Sequence, residues 1–100
     1  MKHTFKTEGE LWRYNSEKAA WFFITINKAL SEDIKALCER GSGWGQVKVE
    51  VTIGQTTWLT SIFPEKKGTF LLPVKASVRK AENIKEGDLV KVTLTSMESL

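Results

Sequence analysis

Two stretches of this chain follow one plan. Residues 23–51 read FITINKALSEDIKALCERGSGWGQVKVEV, and residues 70–94 read FLLPVKASVRKAENIKEGDLVKVTL. Each opens on Phe and reaches Lys-Ala after four residues, at Lys28-Ala29 and Lys75-Ala76. Each continues with a short helical pattern and a glycine turn, and ends on Val-Lys-Val, at 47–49 and 90–92. The offset between copies is 47 residues at the start and 43 at the end, so the first copy holds four extra residues before its last strand. An internal repeat of strand, helix, turn and strand implies two similar halves closing one small barrel. The expected fold is mainly β: a six- to seven-stranded barrel of double-split-barrel type with an internal pseudo-twofold and two short α-helices. Because one chain supplies both halves, a monomer is expected.

A length of 100 residues is one domain, here residues 1–100. A chain this short buries about 60–65% of its unfolded surface, so it needs its aromatics to build a core. It has five Phe, four Trp and one Tyr. With 41% hydrophobic and 27% charged residues the composition is that of a folded domain. No apolar run approaches the roughly 18 residues of a membrane span. The N-terminal MKHTFKTEGE is polar and of mixed charge, unlike a secretory signal, and the single Cys38 excludes an intramolecular disulfide. Both features lead to the expectation of a cytoplasmic protein without membrane attachment. The net charge is +3, spread evenly: residues 1–50 hold eight Lys/Arg and seven Asp/Glu, residues 51–100 seven and five. A nucleic-acid binder concentrates its surplus on one face. Here no basic run exceeds two residues, Lys66-Lys67 and Arg79-Lys80.

The periodicities locate the elements. Residues 3–7 and 10–14 read as two short strands around Gly9. In residues 20–26, Phe22, Ile24 and Ile26 share one face and Trp21, Phe23 and Thr25 the other, both largely apolar, so this strand is expected to be covered on both sides. Residues 31–40 read as a helix capped by Ser31, ended at Gly41, with Leu30, Ile34, Leu37 and Cys38 in one stripe. Cys38 in that stripe is a small hydrophobe rather than a nucleophile. From 47 to 53 the alternation puts Val47, Val49, Val51 and Ile53 on one face. Gly54-Gln55 turns the chain into a partner strand over 56–63. A strand over 69–73 stops at Pro73. A helix over about 75–82 ends at Asn83 in the left-handed conformation, and Glu86-Gly87-Asp88 turns into a last strand with Val90, Val92 and Leu94 inward.

Several motifs then occur in order: Trp21-Phe22, Gly43-Trp44-Gly45 before Val47-Lys48-Val49, Ile53-Gly54, Trp58-Leu59-Thr60-Ser61-Ile62, Leu72-Pro73-Val74-Lys75-Ala76, Val78-Arg79-Lys80-Ala81 and Gly87-Asp88. With this set the chain resembles, from about Phe5 to Thr95, a family of small bacterial proteins known as domain of unknown function nineteen hundred and five. The resemblance implies a small β-barrel with short helices and no established activity. The second half also resembles the swapped-hairpin module of AbrB-type transition regulators, in which a Pro-led helix containing Arg precedes a Gly-Asp turn. In those proteins two chains build one barrel that binds DNA. The first half departs from that pattern, with Ile26-Asn27 where a Pro-led start is expected and a longer glycine turn, and a shared scaffold does not carry its function.

Catalytic signals are nearly absent. One His and one Cys do not form a zinc set, no Ser elbow or phosphate loop occurs, and the glycine run 41–45 lacks the Lys-Ser/Thr of a phosphate loop. No catalytic residue, metal or cofactor is expected. The tryptophans are the better clue, because aromatic walls stack planar ligands, although they also serve to fill a small core. Trp21, Trp44 and Trp58 are candidate walls, Thr60 a candidate hydroxyl, and Lys75 and Arg79 candidate anion anchors. The structural alternative for Arg79 is an ion pair with a carboxylate such as Asp88. The function expected is a non-catalytic binding module for a small molecule or a protein partner. The alternative is an AbrB-like nucleic-acid-associated regulator, which would gather Lys28, Lys35, Lys75, Arg79 and Lys80 on one exposed face.

Overall fold

In a computed structural model, residues 3–40 and 45–97 are described, with the side chains of 37–40 excepted. The elements run β1 (Thr4–Asn15), β2 (Ala20–Ile26), α1 (Lys28–Arg40), β3 (Val47–Ile53), β4 (Thr56–Pro64), β5 (Phe70–Pro73), α2 (Ala76–Glu82) and β6 (Leu89–Ser96). The six strands close an all-antiparallel barrel in the order β1-β2-β5-β4-β3-β6. Closure uses one chain. Exchanging β1 with β4, β2 with β5 and β3 with β6 leaves every neighbour relation in that order unchanged. The repeat unit is therefore ββαβ, one strand longer than the similarity at 23–51 and 70–94 reveals. Val51 pairs with Leu94, its equivalent 43 residues later, so the dyad passes through that rung.

Alternation builds the interior. Leu11, Ile24, Ile26, Val47, Val49, Val51, Ile53, Trp58, Ile62, Phe70, Leu72, Val90, Val92 and Leu94 are buried, and Ile34, Val74 and Val78 close the ends. Each buried Val, Leu or Ile contributes about 1.5–3 kcal/mol relative to exposure. The hairpin at Gly54 and the left-handed Asn83 form as expected, with φ of 59° and 53°. Asn83 and Ile84 return their amides to the carbonyls of Lys80 and Arg79. The Gly87-Asp88 turn is stitched to β1: Gly87 N donates to Leu11 O and Leu11 N to Asp88 O.

Three expectations are corrected. The two short strands around Gly9 are one strand of 12 residues. It pairs with β6 through Glu10 and with β2 from Leu11, and Gly9 sits where it changes partner. A Cβ on Gly9 would stand 2.7 Å from Ile24 Cγ2, so glycine here permits close approach at a barrel corner rather than a break. The first helix begins at Lys28, not Ser31, because Asn27 is the cap: its Oδ1 accepts the Leu30 amide at 2.8 Å. Ser31 is instead fully buried, donating to Ile26 O at 3.0 Å and accepting from Phe70 N at 3.1 Å. It ties α1 to the ends of β2 and β5. Finally, the 20–26 strand is not covered on both faces, since Trp21 is 54% exposed. Gly41, Trp44 and the side chains of Leu37 and Cys38 lie outside the described residues. Among the described residues, no helix is long and apolar enough to cross a membrane.

Candidate functional site

The barrel wall is incomplete at one place. β5 has only four residues and meets β4 at two rungs, Phe63↔Leu71 and Pro64↔Phe70. On its other edge it meets β2 up to Phe23↔Pro73, after which Val74 N still donates to Phe22 O at 2.9 Å. Pro73 ends the strand, and the chain turns away into α2. The first residues of β2 and the middle of β4 thus face each other across the place of a missing strand. Two strand spacings put their backbones about 10 Å apart. α2 lies along this slot.

The slot is a cavity of ≈ 280 Å³ lined by Ala20, Trp21, Phe22, Trp58, Leu59, Thr60, Pro73, Val74, Lys75, Ala76 and Arg79. Five of the six residues picked from the sequence, Trp21, Trp58, Thr60, Lys75 and Arg79, line it together; Trp44 lies outside the described residues. Trp58 and Thr60 alternate in phase with buried Ile62 and form the inner wall. Trp21 and Leu59, 54% and 67% exposed, point outward and form the rim.

Arg79 is half-buried. Its Nε donates to Val74 O at 3.2 Å, and its guanidinium carbon stands 3.7 Å from the centroid of the Phe22 ring. The ion pair considered for it with Asp88 does not form; Asp88 Oδ2 instead accepts the Lys85 amide. Among the described residues no carboxylate pairs with Arg79, so its terminal Nη groups keep their donors. A second guanidinium, Arg13, uses the same ring from 6.0 Å, because Arg13 is the cross-strand partner of Phe22. Trp58 is nine-tenths buried, yet its indole N–H has no acceptor among the described residues and is not sealed from solvent. Trp12 is the contrast: its indole N–H is held by Thr25 Oγ1 at 2.9 Å, and its ring packs on Phe23 with centroids 5.3 Å apart. Trp12 is structural.

Phe22 and Arg13 escaped the sequence reading as site residues. The signal was the β1–β2 hairpin register, which sets Arg13 opposite Phe22. The repeat itself makes the two halves unequal here: the 47-residue offset places Glu32 where the second half has Arg79, and Asn27 where it has Val74. The five cations expected of a nucleic-acid face are divided. α1 and α2 start from opposite ends of the antiparallel β2–β5 pair, so Lys28 and Lys35 are carried away from Lys75 and Lys80. No group of three or more His, Cys, Asp or Glu suited to a metal ion occurs among the described residues.

The family model described as domain of unknown function DUF1905 matches residues 8–94, so the chain belongs to that family. No curated protein matches the sequence.

Proposed function

We propose that this DUF1905 member is a non-catalytic binding module whose ligand is a small molecule held in the slot between β2, β4 and α2. The observation that carries this reading is an aromatic-walled cavity where β5 stops short, with an indole N–H and a guanidinium left with donors to spare. Binding sites of this kind combine apolar walls with a few convergent polar groups. A volume of ≈ 280 Å³ lies just below the roughly 300–1,000 Å³ of pockets for drug-sized ligands, which favours a ligand of one ring and its substituents.

The test is a fragment titration of the ¹⁵N-labelled protein, with neutral, cationic and anionic single-ring compounds. Amide and indole shifts should converge on Trp21, Trp58, Thr60, Lys75 and Arg79. Shifts confined to another surface, or none across the set at millimolar concentration, would overturn the reading. Tight, sequence-selective binding of duplex DNA at physiological salt would replace it with the regulator alternative.

A further inference from the structure

The slot's electrostatics select among such ligands. Its lining contains Lys75 and Arg79 and no Asp or Glu. Arg13 adds a third positive charge beside the same Phe22 ring, and among the described residues neither guanidinium is neutralised by a carboxylate. A local excess of positive charge without carboxylates raises the potential that attracts an anion. The Arg79 fork is also held in place, by Nε on Val74 O and by the stack on Phe22, so little side-chain freedom is lost when its Nη groups bind. Trp58, a nine-tenths-buried residue, contributes one more donor, its solvent-reachable indole N–H, which has no acceptor among the described residues.

We infer that the slot takes a single-ring aromatic carboxylate, with the carboxylate on Arg79 Nη and the Trp58 indole N–H and the ring against Trp21. A guanidinium fork matches the two oxygens of a carboxylate, and such charge-assisted bonds are roughly twice as strong as neutral ones. A carboxylate fits better than a phosphate because only one guanidinium lines the cavity, Lys75 being exposed at its edge. The inference rests on the slot being the binding site proposed above.

Benzoate, benzamide and phenyl phosphate are titrated into the intact chain, read by ¹H–¹⁵N spectra that include the tryptophan indole resonances. Benzoate should bind at least tenfold more tightly than benzamide and should move the Trp58 indole resonance, while that of Trp12, already bonded to Thr25, stays in place. Arg79→Gln should collapse the benzoate-to-benzamide ratio to near one, and Arg79→Lys should restore part of it. Trp58→Phe, which keeps an aromatic core side chain if Arg79 variants prove unstable, should weaken benzoate several-fold and benzamide less, because the charge-assisted bond is the stronger of the two. Equal binding of benzoate and benzamide, with shifts at the slot, would overturn this inference and leave the binding-module reading standing. Binding of neither, with no other fragment at the slot, would remove both. Phenyl phosphate binding more tightly than benzoate would overturn the carboxylate assignment.

Discussion

Gly54→Ala tests how α2 is anchored, and with it the frame of the slot. Gly54 has φ of 59°, a conformation that costs an L-residue about 1–2 kcal/mol. A Cβ at this position would overlap the carboxylate of Glu82, the last residue of α2. That carboxylate accepts a hydrogen bond from Thr56 Oγ1, across the hairpin turn from Gly54. The long Glu82 side chain can swing aside, but only by giving up Thr56. A hydrogen bond to a charged group contributes about 1.5–3 kcal/mol, which solvent screening of a half-buried carboxylate reduces to about 1–2 kcal/mol. The substitution should therefore cost about 2–4 kcal/mol, or about 10–20 °C in Tm for a chain of this size. Typical stabilities of about 5–15 kcal/mol leave the variant measurable. Urea unfolding followed by tryptophan fluorescence gives the number, and a double-mutant cycle with Glu82→Ala divides it. In the Glu82→Ala background the Gly54→Ala step should shrink by about 1–2 kcal/mol, leaving only backbone strain. An equal step in both backgrounds would refute the clash with Glu82. A change below about 0.5 kcal/mol in wild type would refute the strain as well.

Ser31→Ala should cost about 1–3 kcal/mol by orphaning the buried Phe70 amide, measured by the same denaturation; an unaffected midpoint would show that this amide finds another acceptor. Gly9→Ala should cost about 1–3 kcal/mol by overpacking against Ile24, where a surface strand glycine would gain stability from alanine. Arg79→Ala should cost no more than about 2 kcal/mol, the range of a partly buried cation–π contact, while removing ligand capture; a loss of folding would instead make Arg79 a structural residue. Analytical ultracentrifugation at micromolar concentration should show a monomer, and a stable dimer would contradict the self-sufficiency of the two-half barrel. Any DNA association should be weak and fall steeply with added salt, as electrostatic attraction without base readout does.

Local chemistry was readable in the chain. Alternation from Val47 to Ile53, positive φ at Gly54 and Asn83, the stop at Pro73 and the repeated Lys-Ala and Val-Lys-Val marks depend on neighbours within a few residues, and together they imply a two-half β-barrel. The same local logic misread Gly9 and Ser31. A glycine in a polar strand looks like a break, and a serine before acidic residues looks like a cap. Their actual roles, close approach to Ile24 and a bridge to Phe70, come from residues 15 and 39 positions away. The site divides along the same line. Aromatic and cationic side chains of a suitable kind could be picked one by one, because their chemistry is intrinsic. That Trp21, Trp58 and Arg79 surround one cavity follows from strand order and length: β5 lies between β2 and β4 and is too short to fill the wall. Strand order is set by long-range closure of the barrel, which no window of sequence contains. The approach of both Arg79 and Arg13 to one Phe22 ring likewise required both the hairpin register and the return of α2 to the slot.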